Sequence, residues 1–181
     1  MSSRMSYRVW LDRPMVQSHF PMPSANQLRL LAAAAEGNAA DLAADARLLL
    51  EAGRPARAHA LATLALEELG KRTLCLEVLA GKLDETGFRK AWSTHLDKLE
   101  RSQVEAIVSA NSVQRVFAWY EDDAAMKMRG LYVDANPIDA DGAPLTPSDV
   151  DPLAAQGIVE TAEAAAARPW ARSTPNDAAI A

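Results

Sequence analysis

His95 and Arg89 lie six positions apart in FRKAWSTHLDKL, residues 88–99, and Lys98 follows His95 by three. Histidine is the usual general acid or base near neutral pH. Arginine suits a phosphate and the negative charge that develops on it. Together such groups can cleave RNA without a metal, by letting the 2′-hydroxyl attack the adjacent phosphate. Positions six apart on an ideal helix sit about 120° round from each other and about 9 Å along. Arg89 and His95 share one phosphate only through long side chains, a helix break near Gly87, or a dimer presenting two copies. The same spacing also reads as a surface histidine beside a solvated arginine.

A second polar constellation lies upstream. His59, Thr63, Glu67 and Lys71 recur every four residues within GRPARAHALATLALEELGKRTLCLEVLA, residues 53–80. On a helix they form one narrow stripe, with leucines on the remaining faces. A helix apolar nearly all round is normally buried, so Glu67-Glu68-Leu69-Gly70-Lys71 in its middle needs a reason. One reading is an i,i+4 Glu67–Lys71 ion pair at the edge of a bundle. The other is a polar groove, lined by Glu67 and Lys71 and facing His95, with Gly70 permitting close approach. Glu68 reads as a structural partner of Arg72.

These residues must be positioned by helices. The chain has 181 residues, enough for one domain. It is rich in alanine and leucine and poor in β-branched and aromatic residues, which predicts an all-α protein. A first helix is expected over 24–52, capped by Ser24 with Gln27 at the capping-box position and closed by Gly53. Leu28, Leu31, Leu42 and Leu48 to Leu50 supply its apolar stripe. A second helix starts at Pro55 and runs to about Gly81, and the short link predicts an antiparallel pair. A third helical stretch covers 85–121, bent or broken near its middle. Leu131-Tyr132-Val133 reads as a short extended segment. Asp151-Pro152 opens a closing helix that Pro169 stops. Residues 1–23 read as a poorly ordered extension, 24–170 as the domain and 171–181 as a disordered tail. Met22 is a candidate alternative start.

The net charge of −5 argues against non-specific nucleic-acid binding, so any such chemistry requires a local site. Cys75 is the lone cysteine, which fits a reducing compartment. No apolar run reaches the roughly 18 residues of a membrane span, and the N-terminus lacks the continuous apolar core of a signal peptide. A cytoplasmic protein without membrane association is expected. No zinc spacing, nucleotide-binding glycine loop or Ser/His/Asp arrangement is present, and no cofactor or metal is expected.

Three blocks in order carry a resemblance. LLLEAGR at 48–54 followed by ALATLALEELGK at 60–71, then Phe88, His95 and Lys98, then RGLYVD at 129–134, resemble the AbiV-type abortive infection proteins of the HEPN superfamily. The resemblance implies a HEPN-like helical bundle that forms a homodimer, and a role in defence against phage by arresting translation. It implies a metal-independent ribonuclease whose motif is Arg, four to six residues, then His, matched here by Arg89 and His95. Glu67, Lys71 and Lys98 are the expected supporting or substrate-binding residues, and RNA the expected substrate. The alternative is a non-catalytic helical module that binds a phage or host protein.

Overall fold

The computed structural model describes residues 21–109, 127, 131, 134–138, 144–145 and 150–167. Five helices stand among these: α1 (Ala25–Glu51), α2 (Pro55–Leu79), α3 (Glu85–Ser93), α4 (His95–Ser109) and α5 (Pro152–Ala166). Strands β1 (Asp134–Ile138) and β2 (Pro144–Leu145) form a small antiparallel ribbon. The architecture is an all-α bundle with α2 at its centre, packed against the four other helices.

Helix ends follow the local chemistry expected of them. Ser24 accepts from the Gln27 amide and the Gln27 side chain accepts from the Ser24 amide, a complete capping box. At the other end Gly53 has φ 70°, and the Arg54 amide reaches back to the Leu49 carbonyl. This Schellman turn reverses the chain into Pro55, so α1 and α2 pack as an antiparallel hairpin. Asp151 caps α5 through the Leu153 amide.

The apolar face of α1 keeps Leu28, buried, and Leu42, Leu49 and Leu50, partly buried against the core, but alanines and not leucines fill its centre. Its buried residues are Leu28, Ala32, Ala35, Ala39, Ala43 and Ala46. Leu31 is exposed at its edge and Leu48 is 63% exposed. On an ideal helix Leu48 lies about 160° round from Leu28, on the opposite face. Alanines at the seam let the backbones of α1 and α2 approach closely. Ala58, Ala62 and Ala65 of α2 meet them, and Ile158, Val159 and Ala162 of α5 complete that core. A second core joins Leu28 and Ala32 to Leu74, Cys75, Phe88 and Ala91, with Met22 packed against it. Trp92 tilts onto Phe88 there, ring centroids 5.2 Å apart. Arg47 Nε donates to Glu163 at 2.9 Å and ties α1 to α5.

Burial pushes the Cys75 thiol up to about 11. It stays protonated at neutral pH, and only the thiolate is reactive. A thiol reagent such as dithiobis(nitrobenzoate) is expected to leave Cys75 unlabelled in folded protein and to label it in guanidinium. Rapid native labelling would contradict this burial.

The expected third helical stretch is divided at Thr94, which has extended backbone (φ −108°, ψ 124°). Ser93 and Thr94 hydroxyls both donate to the Lys90 carbonyl, at 2.8 and 2.9 Å. Side chains that bond nearby backbone in this way compete with helix continuation. The break thus falls at Thr94, between Arg89 and His95, rather than near Gly87. The remainder of that stretch, from residue 110 to Glu121, lies outside the described residues. So do residues 1–20 and the tail from 168 onward.

Leu131 is helical rather than extended, in keeping with leucine's strong helix propensity. Tyr132 and Val133 lie outside the described residues. The extended segment instead begins at Asp134, and Asp134 pairs with Leu145. Pro137 is tolerated because a two-stranded ribbon has open edges that require no amide donor.

A buried carboxylate between a histidine and a lysine

Parallel packing of α4 on α2 builds the candidate site. Glu67 meets His95, Gly70 meets Lys98 and Glu77 meets Arg101, so the contacts advance together along both helices. The middle contact is the tightest. A methyl group at Gly70 would lie 1.9 Å from the Lys98 carbonyl oxygen. Only a glycine allows the two backbones to come this close, and this approach brings His95 down to Glu67.

The Glu67 carboxylate is nearly enclosed, at 4% side-chain exposure. Its Oε2 accepts from His95 Nδ1 at 2.7 Å, and its Oε1 accepts from Lys127. Lys127 is itself only 6% exposed. Burial alone would push the Glu67 carboxyl up. The His95 hydrogen bond and the Lys127 charge outweigh it and hold the carboxyl below its ordinary range. The His95 side chain remains 35% exposed and is the first residue of α4. With Nδ1 committed to Glu67, Nε2 is the nitrogen left for proton exchange.

Lys98 is buried one turn beyond His95. Burial pushes its ammonium down from the ordinary lysine value, the Glu67 charge opposes this, and Lys71 and Lys127 add to it. The folded protein therefore holds this proton less tightly than the unfolded chain does. Below the lowered value the native state bears the full cost of the buried charge. That cost is relieved as pH rises towards the ordinary lysine range. Lys98→Met is expected to raise stability near neutral pH, on the order of 1 kcal/mol. Urea unfolding reads it, and an unchanged or lower midpoint would contradict the burial argument.

Lys71 turns away from Glu67. It pairs with Glu68, three residues before it, and lies 6.0 Å from the centre of the Trp92 ring. The i,i+4 pair expected of Glu67 and Lys71 is thus replaced, because His95 and Lys127 occupy both oxygens of Glu67. Glu68, expected to pair with Arg72, pairs with Lys71; Arg72 is buried. Arg89 is held by Glu85 on its own helix, Nε to Oε1 at 2.9 Å. Among the other stripe residues, Thr63 donates to the His59 carbonyl at 2.9 Å and both are fully buried.

The structure therefore brings Glu67 and His95 together and places Lys98 within electrostatic reach of Glu67. Lys127 was not among the expected site residues, and it stands sixty positions after Glu67. Its one sequence signal is a lysine set between Met126 and Met128. An ionisable group in an apolar local setting marks either a snorkelling side chain or a buried partner. Among the described residues, no three His, Cys, Asp or Glu side chains converge as a metal-binding group. No helix among them is long and apolar enough to cross a membrane.

Fold and site together define an all-α bundle whose central helix buries a carboxylate shared by a histidine and a lysine. The family model described as AbiV, of the HEPN class, matches residues 27–167, and the chain belongs to that family. That membership associates it with abortive infection and agrees with the resemblance carried by the three sequence blocks. No curated protein and no solved structure is matched by this chain.

Proposed function

We propose that this protein is an abortive infection effector that arrests the phage-infected cell by cleaving RNA without a metal ion, blocking translation. The observation that carries the reading is the 2.7 Å bond from His95 Nδ1 to the buried Glu67. It is the arrangement in which a carboxylate orients an imidazole for acid–base work. Neutral His95 accepts the 2′-hydroxyl proton at Nε2. The 2′-oxygen bonds to phosphorus, the bond from phosphorus to the 5′-oxygen breaks, and the 5′-oxygen takes a proton from an imidazolium. That imidazolium is the one His95 becomes on taking the 2′-hydroxyl proton, and a second copy of the chain sets its own His95 across a shared cleft. The products are a 2′,3′-cyclic phosphate and a 5′-hydroxyl end. Lys71, Lys98 and Lys127 outnumber Glu67 and Glu68 around His95, a local positive balance that favours a phosphodiester on a protein otherwise acidic.

Cytoplasmic RNA is the proposed substrate. Purified protein incubated with total RNA, with and without EDTA, is expected to release cyclic-phosphate ends. His95→Ala is expected to slow this by about 10²–10⁴-fold, the range for loss of a general acid or base. Absence of cleavage under every activating condition, or equal cleavage by the variant, would overturn the reading.

One observation favours a second reading. Arg89, the arginine of the motif, is engaged by Glu85 on its own helix. A non-catalytic module that binds a phage or host protein would need no free arginine. In that case His95→Ala still protects cells in a plaque assay, whereas destabilising the bundle abolishes protection.

A further inference from the structure

Glu67 has two carboxylate oxygens, and each has a different partner. Oε2 faces His95 Nδ1 at 2.7 Å, and Oε1 is held by Lys127. Lys127 Nζ also lies 3.4 Å from His95 Nδ1. An ammonium has only donors. An Nδ1 whose proton points at Glu67 has no lone pair to offer it, so this approach is not a hydrogen bond. It is a close encounter of two groups around one negative charge, and it opposes a second positive charge on the ring.

The surroundings reinforce that opposition. Glu67 and the internally paired Glu68 and Lys71 lie on α2. On α4 stand the buried Lys98, and Asp97 near Arg101 at 3.7 Å. Among the described residues, Glu67 supplies the negative charge in direct contact with the ring, and Lys127 binds one of its two oxygens. In the low dielectric of a buried site such a neighbour acts strongly.

We infer that Lys127 is a positioning residue for His95: it fixes the plane of the Glu67 carboxylate and offsets its charge, so that the ring keeps its proton on Nδ1 and leaves Nε2 as the proton acceptor. A carboxylate with His95 as its sole partner would be free to rotate and would hold the ring as an imidazolium, which accepts no proton. The inference deepens the ribonuclease reading and rests on it for what Nε2 then does. Its test uses no RNA, so the two stand or fall separately.

Two-bond proton–nitrogen correlation spectra of the ¹⁵N-labelled full chain near neutral pH report which imidazole nitrogens carry protons. The His95 signals are assigned by their loss in His95→Gln. Wild-type protein is expected to show Nδ1 protonated and Nε2 bare, and Lys127→Arg to keep that pattern. Lys127→Met is expected to lose it in favour of a doubly protonated ring. Should Lys127→Met fail to fold, Lys127→Gln is read in its place, since it keeps a donor for Oε1 without the charge. A wild-type pattern in the neutral variant that folds would overturn the inference. So would loss of the pattern in folded Lys127→Arg. The expected patterns in a protein that cleaves no RNA would sustain the inference while the ribonuclease reading fell.

Discussion

Glu67→Ala is expected to lower the folding free energy by about 3–5 kcal/mol, the usual cost of removing one member of a buried ion pair. The loss comes chiefly through Lys127. That ammonium is nearly as enclosed as Glu67 and would be left with an uncompensated charge. His95 contributes less, because its ring reaches solvent. A domain of this size has only about 5–15 kcal/mol to lose, so the variant is expected to be near its limit at 37 °C. Glu67→Gln keeps the shape and loses the charge. It should fall between wild type and Glu67→Ala in urea unfolding, and a wild-type midpoint in both variants would contradict the buried-pair account.

The pH dependence follows from the same group. The Glu67 carboxyl is held below its ordinary range in the folded state. As pH falls, the unfolded chain takes up that proton first. The stabilisation is complete above the ordinary carboxylate range and is lost as pH falls through the lowered folded value. Glu163, lowered by its hydrogen bond from Arg47, titrates with the same sign but is more exposed and contributes less. Stability measured between pH 3 and 7 should fall less steeply for Glu67→Gln than for wild type. Equal slopes would show that Glu67 does not drive the acid limb.

Gly70→Ala is the second large effect. Alanine is favoured over glycine inside a helix by about 1 kcal/mol. Here that gain is outweighed, because the added methyl meets the Lys98 backbone at 1.9 Å. The obstacle is a carbonyl of a packed helix and not the end of a flexible side chain, so α4 must move outward. Overpacking typically costs about 1–3 kcal/mol and occasionally more, and the upper end is expected. The displacement also separates His95 from Glu67, so any activity at His95 should fall along with stability. Gly37→Ala is the control. Nothing lies within 4 Å of a methyl at that position, and the same substitution there should stabilise by about 0.5–1 kcal/mol. Thermal melts of both variants check the pair. Two shifts of the same sign would refute the close-approach argument.

Much of the fold is legible because it rests on local chemistry. Ser24 with Gln27, Gly53 before Pro55, and Asp151 before Pro152 each specify a helix end from a few adjacent residues. The leucine stripe of α1 was less legible. Leucine marks a core face only when size decides burial, and between α1 and α2 close approach gave the seam to alanine. The break at Thr94 depended on two hydroxyls choosing the Lys90 carbonyl, a competition that spacing does not report.

In the site the division is sharper. Residue types and spacing by themselves pointed to an all-α chain of the AbiV family, a glycine for close approach on α2, and Glu67 and His95 as candidate site residues. These follow from local periodicity and from the few residue types that titrate or lack a side chain. Only the tertiary structure decided that Glu67 takes His95 and Lys127 rather than Lys71. Lys71 is four residues away and Lys127 is sixty, yet the buried oxygens of Glu67 went to His95 of α4 and to Lys127. A half-buried lysine such as Lys71 can turn to Glu68 and the solvent at its edge, whereas an enclosed one must meet the enclosed carboxylate, and enclosure is a property of the packed bundle alone.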